Sequence, residues 1–291
     1  MILIKVFSYF LVVIVLYFGS VTLALKFYLS ELVFTQTSDV ESNETLRMIV
    51  SDKGNETLIR QYGNDSNSLC VIFFPGKHGG VLRYETELFK YINKLDITLY
   101  SLSYPGYEGA KGKASFQNIQ NTILQAITYI DKNTSCKTNN SIFVGRSLGA
   151  SLALLIAEKR KPKGILIDSV ALSLSRAIRV KLSQSFFTQS LNILPIENLI
   201  NNEIKLVDAL NNITDIPIVL FQGENDNKTP IKDIEPLMVH YDNVIFHPVK
   251  SARHRDTHIL ARSKYLGELI ALTNSMVFDN RVNSMNKSKS P

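Results

Sequence analysis

The sequence predicts an α/β fold in which a mostly parallel sheet is covered by helices on both faces. Three observations carry that reading. Short runs that are apolar almost throughout, such as residues 70–74, 141–144, 164–168 and 244–249, have the composition of strands buried on both sides. Stretches of helical length separate most of them, so crossovers rather than hairpins must join the strands. One junction from strand to helix, Gly145-Arg146-Ser147-Leu148-Gly149, carries glycines where a very sharp turn requires them.

The elements follow in order. From Val6 to Leu25 no residue is charged, and only Ser8, Gly19, Ser20 and Thr22 interrupt the apolar run. A helix of about 20 residues spans about 30 Å, the hydrocarbon thickness of a bilayer. Residues 1–26 therefore read as a membrane anchor, a single-pass transmembrane helix. A cleaved signal sequence competes with that reading, because the small residues Thr22 and Ala24 follow the apolar stretch. Residues 27–44 form a polar, acidic linker, and no Lys or Arg occurs from Phe27 to Leu46, which favours an exported location for that side.

A single domain is expected over residues 45–275. Segments 45–50 and 57–62 have strand character and flank a turn at Asp52-Lys53-Gly54-Asn55, so they read as an opening hairpin. Strand 70–74, helix 81–95, strand 97–104, helix 115–133, strand 141–144, helix 147–159 and strand 164–168 then alternate. Residues 170–214 are longer than a crossover needs. Ile178 and Leu182 are expected to pack on the sheet there, and Phe186 to Leu194 to form a small apolar cap. Strands 216–221 and 244–249, with a helix at 230–241 between them, close the sheet. A helix at 257–273 ends the domain, and residues 276–291 read as a flexible polar tail.

The glycine-flanked junction also carries chemistry. G-x-S-x-G between a strand and a helix lifts a serine hydroxyl clear of the backbone, where a base can reach it. That base and its partner follow in a telling order. Asp226 lies on the loop after the strand at 216–221, and His254 on the loop after the strand at 244–249. The order Ser147, Asp226, His254 is that of one hydrolytic fold and differs from the orders of trypsin-like and subtilisin-like enzymes. Upstream, the strand at 70–74 runs into Pro75-Gly76-Lys77-His78-Gly79-Gly80. A glycine-rich turn there could aim the Lys77 N–H at a developing oxyanion, with the Leu148 N–H as second donor.

At these residues the chain resembles the Bem46-like group of membrane-anchored α/β-hydrolases. The likeness runs from about Thr45 to Leu272 and is carried by Phe74-Pro75-Gly76, Tyr104-Pro105-Gly106-Tyr107, Gly145 to Gly149, Leu166-Ile167-Asp168-Ser169, Gly223 to Asp226 and His254-Arg255-Asp256. It departs at Pro75, where that family usually has histidine. The resemblance implies an α/β-hydrolase fold with an uncleaved anchor, and the triad order points to a serine hydrolase acting on an ester or thioester; an apolar cap beside a membrane anchor suggests an acyl or lipid-like substrate. Two alternatives stay open: a catalytically silent binding module of this fold at the membrane, and a serine peptidase of the same fold.

Each candidate residue has a plainer reading. Ser147 could cap the following helix, and Asp226 could be a turn residue. His258 competes with His254, and Asp168 is a second acid after the strand at 164–168. His78, His240 and His247 lack the spacing of metal ligands, so neither a metal nor another cofactor is expected. With 32 basic and 26 acidic residues, no Trp, and no basic stripe interleaved with aromatics, nucleic-acid binding is not expected either. The expected partners are a small acyl or lipid-like substrate and a membrane; the oligomeric state is unassigned. Asn-x-Ser/Thr triplets occur at Asn43, Asn55, Asn133, Asn212 and Asn227, the last beside Asp226. Cys70 and Cys136 would lie at the same end of neighbouring strands, and are either a disulfide pair or two unrelated core residues.

Overall fold

The computed structural model describes residues 2–65, 69–200 and 203–274. One sheet holds β1 (Leu46–Asp52), β2 (Asn55–Tyr62), β3 (Cys70–Phe74), β4 (Thr98–Ser103), β5 (Ser141–Arg146), β6 (Gly164–Asp168), β7 (Ile218–Gly223) and β8 (Val244–Val249). Their spatial order is β1-β2-β4-β3-β5-β6-β7-β8. β2 pairs antiparallel with β1 and β4, and every later pair is parallel. The described helices are α1 (Ile2–Val33), α2 (Val81–Tyr84), α3 (Lys90–Asn93), α4 (Phe116–Asn133), α5 (Leu148–Arg160), α6 (Leu174–Ser183), α7 (Leu206–Asn212), α8 (Glu235–Met238), α9 (Thr257–Leu260) and α10 (Arg262–Thr273).

Strand residues alternate between two cores, as the period of two requires. Ile72, Phe74, Phe143, Ile165 and Leu220 face α4, α5 and α7, where Ile123, Ile127, Ala153 and Leu210 pack. Val71, Phe73, Val144, Leu166 and Val219 face α2, α3 and α10, where Tyr84, Ile92, Leu269 and Leu272 pack. Both faces are apolar, which is why composition alone identified these strands. Ser115 caps α4 by accepting from the Asn118 N–H at 3.1 Å.

The neighbours of β3 are β4 on one side and β5 on the other, so the chain reverses its direction of sheet building there. Ligands of open α/β sheets bind at such a reversal, beyond the carboxyl ends of the strands. The glycine turn after β3 and the junction after β5 both sit at that point. At the opposite end of the same two strands, Cys70 of β3 and Cys136 on the loop before β5 are joined in a disulfide with their Cα atoms 5.7 Å apart.

Several elements differ from expectation. The segment 230–241 does not form one helix but a 3-10 turn, Ile231–Asp233, and the four-residue α8. Pro236 stands inside that stretch; its ring and missing N–H are tolerated only near a helix start, so the helix begins again there. The helix over 81–93 carries a π-turn, Glu85–Phe89, between α2 and α3. Glu85 is buried within it and accepts from the Asn43 N–H at 2.8 Å and the Tyr62 hydroxyl at 2.8 Å.

The first helix continues to Val33, beyond the expected anchor, and the segment after it is fixed to the domain. Val33 and Phe34 are buried, the Thr37 N–H donates to the Gly106 carbonyl, and the Glu108 N–H donates to that of Thr37. Ile178 and Leu182 do not pack on the sheet. They join Leu194, Ile196 and Ile200 in a separate apolar cluster, together with Phe18 and Val21 of α1. The tail at 276–291 lies outside the described residues.

Candidate active site

Ser147 stands between β5 and α5 with φ 54° and ψ −117°, a conformation that side chains avoid unless the surroundings impose it. The glycines around it impose it. A Cβ on Gly149 would lie 1.9 Å from the Phe74 carbonyl oxygen, and one on Gly145 would lie 2.5 Å from the Gly149 carbonyl oxygen. Strand and helix therefore pass at a distance only glycine allows. The Ser147 N–H is held by the Asp168 carbonyl at 2.9 Å. Its hydroxyl makes no capping bond to α5, contrary to the plainer reading of this residue.

That hydroxyl lies 3.0 Å from His254 Nε2, and His254 Nδ1 lies 2.8 Å from Asp226 Oδ2. Three residues distant in sequence thus form one hydrogen-bonded chain, with Asp226 buried at its inner end. The carboxylate receives the Lys228 and Thr229 N–H groups on Oδ1 at 2.8 and 2.9 Å, and the Thr229 hydroxyl on Oδ2 at 2.6 Å. Burial opposes its ionisation, yet the His254 hydrogen bond and charge and the Thr229 bonds hold its pKa below the ordinary value. In the neutral tautomer that donates Nδ1–H to the Asp226 carboxylate, Nε2 carries no proton and faces the Ser147 hydroxyl.

The two competing residues are engaged elsewhere. His258 is fully buried, with Nε2 3.0 Å from Glu87 Oε2. Asp168 is buried and takes Arg146 Nε at 3.0 Å. Arg146 is itself 5% exposed, and it also donates to the His254 carbonyl and, at 3.4 Å, to the Tyr84 hydroxyl. The variable residue of the pentapeptide therefore ties the serine turn to the histidine loop. Ser169 Oγ donates to that carbonyl too, at 3.4 Å. Neither Arg146 nor Thr229 was singled out from the sequence. A charged residue directly before the serine, next to an apolar strand, is the signal that could have found the first.

Gly76 faces the serine: a Cβ there would lie 3.6 Å from Ser147 Cβ. The Pro75 carbonyl accepts the Tyr104 hydroxyl at 2.9 Å, and the Gly76 carbonyl accepts the Gly79 N–H at 3.0 Å. Glu108 holds the far end of the turn, accepting the Gly80 and Val81 N–H groups at 2.9 and 2.7 Å. Lys77 follows Gly76 in this braced turn, and Leu148 opens α5 beside the serine. Burial and the charges of Lys228 and Lys181 hold the Lys77 ammonium below its ordinary pKa. Burial, with the charges of Lys77, Lys228 and Arg255, does the same for His78. Lys77, Lys181, Lys228 and Arg255 therefore lie near one another around the turn that follows β3. No three metal-ligating side chains gather anywhere among the described residues.

No family model matches the chain. Over 169 residues it is 24% identical to the alpha/beta hydrolase domain-containing protein WAV2 of Arabidopsis thaliana, covering 55% of this chain and 54% of that protein. The match therefore spans about half the length of its curated relative. Among solved structures, an alpha-beta hydrolase from Vibrio vulnificus aligns with a TM-score of 0.65 at 14% identity, covering 79% of this chain and 81% of that one. The esterase Pf2001 of Pyrococcus furiosus aligns with a TM-score of 0.62 at 13% identity, covering 82% and 96%. The chain has the α/β-hydrolase fold, with an N-terminal helix long and apolar enough to cross a membrane.

Proposed function

We propose that the chain is a serine hydrolase of the Bem46-like kind, cleaving esters or thioesters of acyl or lipid-like character. The observation that carries this is the continuous chain from Ser147 through His254 to buried Asp226, at 3.0 and 2.8 Å, at the point where the sheet reverses. Likeness in fold to an esterase supports it.

In this reading His254 Nε2 takes the Ser147 proton as Oγ bonds to the substrate carbonyl carbon. Negative charge gathers on the carbonyl oxygen, held by the Lys77 and Leu148 N–H groups. The carbonyl reforms as the bond to the alcohol or thiol breaks, and His254 returns the proton to that leaving group. Water then enters by the same steps and releases the acid. Asp226 fixes the imidazole tautomer and stabilises its charged form throughout. No cofactor takes part.

The domain sits beside the bilayer on the exported side, tethered by α1. A disulfide between Cys70 and Cys136 supports an oxidising compartment, and the absence of Lys and Arg from Phe27 to Leu46 supports that orientation. One observation favours a silent binding module instead: Pro75 at the turn where the family has histidine. Turnover of p-nitrophenyl esters by the wild-type chain and by Ser147→Ala separates the two. Hydrolysis that the substitution removes is expected. Equal rates from both proteins, or no rate from either on any chain length, would sink the proposal.

A further inference from the structure

The anchor and the segment over 174–200 are not independent. The span at Lys5–Ala24 has a mean hydropathy of 2.2 and is largely exposed on the protein's surface. Two of its side chains nevertheless pack within the domain's apolar cluster. Phe18 and Val21 are half-buried against Leu194, Ile196 and Ile200. Phe18 lies six residues before the end of the span, which is about 9 Å along a helix axis. With α1 in a bilayer, this part of the domain therefore meets the membrane at the level of the span's last two turns. It cannot stand off in water.

The same segment presents an apolar tip. Phe186 and Phe187 are 80% and 85% exposed, and Ile193 is 72% exposed. The phenylalanines lie between Leu182 and Leu191, both of which belong to the cluster that receives Phe18 and Val21. Phe186 and Phe187 also stack edge-to-face on each other, so the pair forms one wedge. Leaving such a pair in water forgoes much of the gain of burying aromatic surface. Lys181 near the end of α6 and Lys228 on the Asp226 loop are both exposed, and cations there suit anionic headgroups.

The geometry points to a second membrane contact: Phe186, Phe187 and Ile193 insert into the headgroup and acyl boundary of the same bilayer that holds α1. A depth of about 5–10 Å is usual for interfacial apolar residues. The contact reaches the candidate site as well. Gln184 Nε2, two residues before Phe186, donates to the Asn227 carbonyl at 2.7 Å, next to Asp226. The segment that carries the wedge is thereby joined to the loop that carries Asp226.

The chain has no tryptophan, so single substitutions give unambiguous depth reporters. Full-length Phe187→Trp, Leu16→Trp and Ile270→Trp are each reconstituted into vesicles of phosphatidylcholine and phosphatidylglycerol. Part of the phosphatidylcholine carries bromine, either shallow or deep in its chains. Leu16 lies in the span, and Ile270 is an exposed residue of α10, the helix whose Leu272 packs at the start of β6. Phe187→Trp should show blue-shifted emission and lose most of it to shallow bromine. Leu16→Trp should be quenched by deep bromine, and Ile270→Trp by neither. If Leu16→Trp is quenched while Phe187→Trp emits as a water-exposed indole, the inference is overturned. Blue-shifted Phe187→Trp emission without bromine quenching would place a second protein copy on the tip and overturn it equally. An unquenched Leu16→Trp removes the bilayer contact altogether. None of these readings depends on the chemistry of Ser147.

Discussion

Replacing Arg146 by Met should cost the fold far more than a surface charge would. Arg146 and Asp168 form a buried pair at 3.0 Å, and Asp168 Oδ2 already has no hydrogen-bond partner. Without the guanidinium, Asp168 becomes a buried carboxylate with no cation, and breaking such a pair typically costs about 3–5 kcal/mol. The His254 carbonyl loses a charged donor in addition, worth about 1.5–3 kcal/mol where the acceptor stays dry. Asp168→Asn in the Arg146→Met background removes the stranded charge but cannot restore the donor. The double variant should therefore recover stability by roughly 2–3 kcal/mol over Arg146→Met, while ester turnover stays low because the His254 carbonyl has lost its charged donor. Urea unfolding of the full chain in detergent, followed by far-UV circular dichroism, measures all four corners of the cycle. A coupling below about 0.5 kcal/mol would refute the reasoning, since independent sites add to within that margin. So would a double variant that regains turnover along with stability.

Other expectations rest on separate parts of the molecule. The Cys70–Cys136 bond spans 66 residues of sequence, so in the chain-entropy model it stabilises by about 4 kcal/mol. The double substitution to Ala should lower Tm by roughly 8–16 °C, and an unchanged melt would contradict the pairing. Asp226 has a folded pKa held below its ordinary 3.8, so its stabilisation is complete above the unfolded value and is lost as pH falls through the folded one. The stability gap between wild type and Asp226→Asn should therefore be widest above about pH 4 and shrink below it; a gap that widens in acid would have the sign wrong. Ser147→Ala and His254→Ala should each lower kcat by orders of magnitude, with the double variant little worse. His258→Gln should keep most of kcat, because that ring is bound to Glu87; a loss equal to that of Ser147→Ala would reassign the base.

How much of this was legible depended on whether a residue's partners were local. β3, β6 and β8 were bounded correctly by composition, because strands apolar on both faces need no partner to be recognised. The serine turn was legible for a related reason: its glycines answer a steric demand within five residues. The helix expected over 230–241 failed on Pro236, whose effect is local but was outweighed by the surrounding apolar pattern. Ile178 and Leu182 have the spacing of a sheet-facing helix, and periodicity cannot say which apolar surface receives it; here that surface is shared with α1. Arg146 was invisible because its partners, Asp168 and the His254 carbonyl, lie 22 and 108 positions away, and Glu108 because the Gly80 and Val81 N–H groups it holds lie 28 and 27 positions away. Thr229 sits only three residues from Asp226, but a threonine in a turn carries no mark of the carboxylate it supports. The expected roles of Lys77 and Leu148 rest on backbone groups, for which residue identity carries almost no signal.

The central claim is that Ser147 is an activated nucleophile, and covalent labelling addresses it without knowledge of the substrate. A fluorophosphonate reacts with a serine whose proton a neighbouring base removes, and leaves a phosphonyl group on that oxygen. Membrane-bound wild-type chain, treated and digested, should carry the adduct on the peptide containing Ser147. The same treatment should leave Ser147→Ala and His254→Ala unmodified, with wild-type folding verified by their unchanged melting. An intact Ser147 peptide in a correctly folded wild-type chain, or an adduct on any other serine, would contradict the account.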